Sequence, residues 1–236
     1  MDKTTVSNWE MLKAKSVYHF DNWKNDQRWD CVQGIGKFMG NWEHELAEVI
    51  ESAQPVTWRT RSEDGKPNRH IDKEEYDLSA AGADPNMTIA NFEYKLEPVF
   101  REMCDKIGLA NRFDRIHVQW PGQVFTKHID KLQKVNPEDP SKVMRIMVQL
   151  TDWDPGHFAQ YGNYTYSHWR AGDIHTFDWK NVPHSSANAS LTPRVSLLTT
   201  GVVTDKTLKF LEEAKKTYEI PVIEYQAWLE YGLLDR

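Results

Sequence analysis

Apolar residues recur every three or four positions in two stretches of the first half of the chain, 42–52 and 97–107. This spacing predicts an amphipathic helix in each stretch. Asn41 is placed to cap the first helix, and Gly108 is placed to end the second. The region 1–40 mixes aromatic and charged residues without a period, which predicts irregular packed structure.

The pattern changes to short apolar or alternating segments beyond residue 110. Turn-forming pairs such as Pro121 with Gly122 and Pro155 with Gly156 separate these segments. Eight of them are predicted to be strands: 116–120, 124–128, 143–150, 158–161, 165–169, 173–177, 184–187 and 194–202. Eight short strands with such turns predict a mainly β fold with flanking helices, of the double-sheet jelly-roll or barrel kind.

Beyond residue 204 the period is helical again, with Leu208, Leu211, Ala214 and Tyr218 on one stripe. Pro221 is predicted to interrupt it before a last helical segment. We expect a single domain over residues 1–236. Its parts are a helical and irregular segment 1–110, a β core 111–203 and C-terminal helices 204–236. A chain of 236 residues suffices for one substantial core. A long loop is expected over 61–90, where Gly, Asp, Asn and Pro are frequent.

Composition narrows the class of protein. With 39% hydrophobic and 12% aromatic residues the chain is too apolar to be disordered. A net charge of -6 with both signs interspersed argues against a nucleic-acid partner. Two cysteines exclude a disulfide framework, and no apolar run approaches the roughly 20 residues that span a bilayer. We therefore expect a cytoplasmic protein without a membrane segment.

His128 and Asp130 stand two positions apart at the end of a predicted strand, so they share one face. His184 lies 54 residues further, at the start of a later strand, and a barrel can bring these strands together. Two imidazoles and one carboxylate on one face of a metal leave three positions open, as in non-haem Fe(II) oxygenases. The alternative is that these residues bind no metal and lie in a turn or on the surface. A His-x-Asp tripeptide arises often by chance, and His or Asp at a strand end is commonly such a residue.

Arg194 and Ser196 form a second pair on one strand face, ten residues beyond His184. A guanidinium is suited to bidentate binding of a carboxylate, and a hydroxyl can donate a further hydrogen bond. A surface salt bridge is the simpler alternative for Arg194. However, an arginine beside the apolar run 195–198 is expected to point toward a specific partner.

Over residues 115–203 the chain resembles the Fe(II)/2-oxoglutarate-dependent dioxygenases of the double-stranded β-helix (cupin-like) fold. It is most similar to the branch of the aspartyl/asparaginyl β-hydroxylases and the proline cis-hydroxylases. The resemblance implies that His128, Asp130 and His184 bind iron and that Arg194, with Ser196, binds the C5 carboxylate of 2-oxoglutarate. It is carried by Pro121-Gly122, His128-x-Asp130, Trp169-Arg170-Ala171-Gly172-Asp173, Phe177-Asp178, His184 and Arg194-x-Ser196.

At two positions the chain differs from patterns found among the dioxygenases that it resembles. An Arg-x-His pair often assists co-substrate binding in this branch, and here Arg145 is followed by Met147. Arg145 is thus a candidate for the co-substrate role, without the histidine. Nucleic-acid repair dioxygenases carry a second arginine where this chain has Thr200, which disfavours nucleobase demethylation. Asp130 fills the position that a halogenase leaves to halide, which favours hydroxylation.

The resemblance therefore implies an enzyme that uses Fe(II), 2-oxoglutarate and O2 to hydroxylate an amino acid, a peptidyl side chain or a similar small polar substrate. Two other functions remain open. The same ligands serve cupin-like isomerases or hydrolases that use Zn or Mn, and a barrel can also bind a ligand without catalysis. Arg194 distinguishes the dioxygenase from the isomerase or hydrolase, because an enzyme without a dicarboxylate co-substrate does not need an arginine to bind one.

Overall fold

The described part of the protein in the computed structural model comprises residues 32–57, 89–93, 96, 98–162 and 164–222. Its helices are α1 (Glu43–Ser52), α2 (Pro98–Ile107) and α3 (Asp205–Thr217). Its strands are β1 (Gln33–Met39), β2 (Gln54–Thr57), β3 (Ile89–Glu93), β4 (Ala110–Gln119), β5 (Val124–His128), β6 (Val143–Gln149), β7 (His157–Tyr161), β8 (Tyr164–Tyr166), β9 (Asp173–Thr176), β10 (His184–Asn188), β11 (Arg194–Val202) and β12 (Glu219–Pro221).

These strands form two sheets. The larger has the order β12-β1-β9-β6-β11-β4-β3-β2, and the smaller has the order β5-β10-β7-β8. Strands β4 to β11 form four antiparallel pairs: β4 with β11, β5 with β10, β6 with β9, and β7 with β8. The first and third pairs lie in the larger sheet, and the second and fourth lie in the smaller. This is the double-stranded β-helix that the sequence predicted, and the mainly β class with flanking helices is confirmed.

The two faces of the larger sheet bury different cores. Along β11, Val195 and Leu197 belong to the cluster that includes α2 and α3, whereas Leu198 belongs to the cluster between the sheets. Because side chains alternate along a strand, Arg194, Ser196 and Thr200 share the face of Leu198. The predicted site residues of β11 therefore point into the barrel.

Helix α2 ends near the predicted residue, and its buried side chains are the expected ones: Val99, Phe100, Met103, Cys104 and Ile107. The predicted cap of α1 was wrong by one residue: the N-cap position is Trp42, which makes no capping hydrogen bond through its side chain. Asn41, one residue earlier, accepts a hydrogen bond from the Glu43 amide (3.0 Å). The predicted stripe of α3 was wrong at Leu208 and Tyr218, which are exposed, while Phe210 and Ala214 are buried. Phe210 packs on Phe38 of β1, and this contact sets the buried face.

Several elements were not expected. The region 1–40 is not irregular throughout, because β1 occupies 33–39. Strand β12 forms at 219–221, where the sequence predicted a break between two helices at Pro221 but no strand. Strand β8 covers only part of the predicted strand 165–169, and His168 has a positive φ of 61° that ends the extended run. The predicted loop 61–90 lies outside the described residues except for its last two positions, which are the start of β3 and not loop. The last predicted helix also lies outside the described residues. In the described part of the chain, no helix is long and apolar enough to cross a membrane.

Gly172 provides a test of how β1 docks on the barrel. Its φ is +91°, and a Cβ there would overlap the carbonyl oxygen of Phe38. We expect Gly172→Ala to lower the free energy of unfolding by about 1 to 3 kcal/mol or more, measured by urea denaturation. Gly34→Ala is the control, because a Cβ at Gly34 meets nothing within 4 Å. Equal stability of the two variants would contradict the close approach at Gly172.

Candidate metal centre

His128 at the end of β5 and His184 at the start of β10 are directly paired across an antiparallel ladder. Asp130 follows two residues after His128. Its carboxylate lies 3.8 Å from His128 Nε2 and 3.6 Å from His184 Nε2. One donor atom from each of the three residues lies within 4.8 Å of the other two, a spacing that can hold a metal ion. All three side chains are partly buried.

Neighbouring groups orient the two imidazoles. His184 Nδ1 is 3.2 Å from the carbonyl oxygen of Val182, so Nδ1–H donates there and Nε2 keeps its lone pair for a metal. Aromatic rings restrict both imidazoles further. The ring of Phe125 lies 4.8 Å from that of His128, and the ring of Phe177 lies 4.6 Å from that of His184. The nitrogens that face Asp130 are thus set in place by the protein itself.

Arg145 contacts the carboxylate of this cluster. Its Nη1 donates to Asp130 Oδ2 at 2.5 Å and its Nε donates to Thr200 Oγ1 at 3.0 Å. Arg145 and Thr200 are paired across β6 and β11, which explains why the two side chains meet. Thr176 fixes the strand by donating to the Arg145 carbonyl oxygen. Sequence reasoning found Arg145 but not its carboxylate partner.

Arg194 is 5% exposed at the start of β11. Its Nη1 donates to Gln119 Oε1 at 3.1 Å, and its guanidinium carbon lies 5.1 Å from the centre of the Trp169 ring. Within the described residues no Asp or Glu forms an ion pair with it, and its Nε has no hydrogen-bond partner. Burial lowers the pKa of Arg194, yet a guanidinium stays charged at neutral pH. Arg194 is therefore a buried cation without an acidic partner in the part of the chain that the structure describes.

Ser196 lies two residues after Arg194 on the same face and is also buried. The two predicted binding residues of β11 are thus adjacent and inside the barrel, as the alternation predicted.

Tyr161 and His175 are also buried inside the barrel, and the sequence did not predict that these two side chains are in contact. The Tyr161 hydroxyl lies 2.9 Å from His175 Nε2 and 3.2 Å from Met147 Sδ. Burial raises the pKa of Tyr161 to about 12. Burial, together with the charge of Arg194, lowers the pKa of His175 to about 3. Both groups are neutral at pH 7, so neither supplies the anion that Arg194 lacks. Tyr161 lies on β7 and His175 on β9, so their contact depends on how the two sheets face each other, for which the sequence carried no signal.

A cavity of about 450 Å³ lies beside the cluster, lined in part by Val143, Met144, Phe177 and Trp179. None of the predicted site residues lines it. Phe177 lies between this cavity and the His-Asp-His cluster, because it lines the cavity and its ring contacts that of His184.

The chain is thus a double-stranded β-helix protein with a His-Asp-His cluster inside its barrel. No family model matches the sequence. No curated protein matches it either.

Several solved structures are similar to parts of this chain at low sequence identity. The non-haem α-ketoglutarate-dependent epimerase SnoN from nogalamycin biosynthesis is 12% identical, with 77% of this chain and 82% of SnoN covered and a TM-score of 0.48. A Cupin 2 conserved barrel domain protein from Salinispora arenicola is 11% identical, with coverages of 52% and 84% and a TM-score of 0.31. A predicted oxalate decarboxylase from Thermotoga maritima is 15% identical, with coverages of 49% and 82% and a TM-score of 0.32.

Proposed function

We propose that the chain is an Fe(II)- and 2-oxoglutarate-dependent dioxygenase. It hydroxylates an amino acid, a peptidyl side chain or a similar small polar substrate, and it releases succinate and CO2. The observation that carries this proposal is Arg194, a buried guanidinium without an acidic partner in the described residues, inside the barrel that holds His128, Asp130 and His184.

Burying a cation without a counter-charge is costly, so a protein that keeps one normally meets an anion there. The nearby groups of Arg194 are neutral: Gln119 accepts one hydrogen bond, and Trp169 offers a ring face. The unpartnered Nε–H can donate to an oxygen of an incoming carboxylate. A dicarboxylate that binds the metal at one end and Arg194 at the other satisfies both groups.

The donor set fits ferrous iron, since two imidazoles and one carboxylate on one face are typical of non-haem Fe(II) oxygenases. Iron, 2-oxoglutarate and O2 together supply the oxidising chemistry. The chain's own residues position the reactants: His128, Asp130 and His184 hold the metal, and Arg194 with Ser196 holds the far carboxylate. Trp169, which is 2% exposed, covers the guanidinium and excludes water from it.

A cupin-like isomerase or hydrolase that uses Zn or Mn is the alternative, because the three ligands alone suit it equally well. A non-catalytic barrel is a further possibility. Neither accounts for the buried charge of Arg194. A nucleic-acid substrate is not expected at a net charge of -6, so a small-molecule or peptide substrate is proposed.

The test of the proposal is succinate release from 2-oxoglutarate by the Fe(II)-loaded protein across a panel of free amino acids and peptides. We expect release that depends on iron and O2 and rises with one class of substrate. Turnover supported by Zn without 2-oxoglutarate would favour the isomerase or hydrolase instead. A protein that binds neither ferrous iron nor 2-oxoglutarate would contradict the proposal.

For Arg145 we propose a role in orienting Asp130 rather than in binding the co-substrate, because its guanidinium is engaged by Asp130 and Thr200. Arg145→Met is expected to weaken Fe(II) binding by roughly 10- to 100-fold, as loss of a group that fixes a metal ligand does. Anaerobic metal titration measures this. Arg170→Met is the control, since Arg170 is exposed and pairs only with Asp152 among the described carboxylates. Unchanged metal affinity in folded Arg145→Met would refute this role.

A further inference from the structure

Gln149, the last residue of β6, is completely buried, yet neither its amide nitrogen nor its amide oxygen has a hydrogen-bond partner within the described residues. Val148 and Leu150 on either side belong to the core beneath the helices, and Met147 belongs to the core between the sheets. Because side chains alternate along a strand, Gln149 shares the face of Met147 and points into the barrel.

The neighbouring buried glutamine behaves differently. Gln119 Nε2 donates to the carbonyl oxygens of Gln123 (3.2 Å) and Ser186 (3.3 Å), and its Oε1 accepts from Arg194. Gln119 is thus fully engaged in holding Arg194 in place. Gln149 makes no such hydrogen bond with the described residues. Leaving a buried amide unpaired lowers the free energy of unfolding by roughly 1 to 3 kcal/mol.

Sheet pairing places Gln149 beside the carboxylate-binding residues. It lies directly opposite Ser196 on β11, and Arg194 is the next residue of β11 on the same face. Arg194 Nε is itself buried without a partner. Two adjacent strands therefore direct unpartnered polar atoms into the barrel at the same level.

We propose that Gln149 binds the far carboxylate of the co-substrate together with Arg194. The inference rests on the proposed function and adds a residue to it. Gln149 Nε2–H donates to one carboxylate oxygen while Arg194 donates to the other, so that the carboxylate is held from two strands. Gln149 Oε1 then accepts from the remaining N–H groups of Arg194 or from the Ser196 hydroxyl. This arrangement gives a partner to Gln149 Nε2, Gln149 Oε1 and Arg194 Nε, which have none among the described residues.

The variant Gln149→Met keeps the length and volume of the side chain and removes both polar atoms. Titration of the Mn(II)-loaded protein with 2-oxoglutarate by calorimetry should show a roughly 10- to 100-fold rise in the dissociation constant. Without the ligand, the urea midpoint should stay the same or rise, because an unpaired amide has been replaced by an apolar group. Weaker binding without loss of stability separates ligand recognition from a merely structural role.

Thr199→Val is the matched control. Thr199 is also fully buried with an unpartnered hydroxyl, but it faces the opposite side of β11, toward the core beneath the helices. Its removal should leave the dissociation constant unchanged. Gln149→Glu is the second variant: its carboxylate should pair with Arg194 internally and abolish 2-oxoglutarate binding.

Three outcomes are distinct. If the unaltered protein binds 2-oxoglutarate and Gln149→Met binds it equally well, the inference is overturned and the amide meets water instead. Unimpaired binding by Gln149→Glu overturns it in the same way, even if Gln149→Met does not fold. If the unaltered Mn(II)-loaded protein does not bind 2-oxoglutarate, the proposed function itself fails.

Discussion

Replacing His184 with alanine is expected to abolish iron-dependent turnover and to weaken Fe(II) binding by more than about 100-fold, beyond the effect of losing an orienting group. The reason is geometric. His184 Nε2 and the Asp130 carboxylate lie 3.6 Å apart, and the Val182 carbonyl fixes the imidazole so that Nε2 is the free donor. His128→Ala should behave alike, because His128 is the cross-strand partner of His184.

The measurement is anaerobic titration with Fe(II), with circular dichroism to verify the fold. His44→Ala is the control, since this histidine lies on the exposed face of α1 with a side chain 82% exposed. Retention of stoichiometric iron by both His128→Ala and His184→Ala would place the metal elsewhere and remove the basis of the proposed function.

Replacing Arg194 with methionine is expected to weaken 2-oxoglutarate binding by about 100- to 1,000-fold or more, because a buried carboxylate would lose its counter-charge. Iron binding should be unaffected, since Arg194 makes no described contact with the three metal ligands. The free energy of unfolding should not fall, because the variant removes a buried cation that lacks an acidic partner among the described residues.

Anaerobic addition of 2-oxoglutarate to the Fe(II)-loaded protein should produce a weak visible charge-transfer band, which Arg194→Met should lack. Arg194→Lys should bind at an intermediate level, because it keeps the charge but not the planar fork of donors. Arg101→Met on the exposed side of α2 controls for general loss of positive charge. An unchanged band in Arg194→Met would show that the anion site lies elsewhere.

The parts of the fold that sequence predicted well are those set by local spacing. Strands β4 to β11 were found because turn residues separate them, and His128 with Asp130 was found because strand side chains repeat every two residues. Strand β1 was missed because its register shifts between Gly34 and Gly36, which interrupts the alternation. The face of α3 was misjudged because Phe38, on another element, decides which side chains are buried.

The contacts that define the site in detail depend on pairing between strands. Arg145 meets Thr200 because β6 lies beside β11 in the register that pairs these two residues, and it meets Asp130 because the end of β5, in the other sheet, faces it across the barrel. The sequence places Gln149 on the predicted strand 143–150, but the lack of hydrogen-bond partners for its amide is visible only from the side chains that surround it. Spacing along one strand can predict a metal-binding residue, but the side chains that orient this residue come from other strands.

The parallel pairing of β1 with β12 has a consequence for biosynthesis. Lys37 lies opposite Glu219, so this sheet edge joins segments that leave the ribosome far apart in time. At typical elongation rates of 5 to 20 residues per second, β1 waits roughly 10 to 40 s for this neighbour. Until then its outer backbone groups are open to other strands, and the nascent chain is most vulnerable to aggregation along that edge.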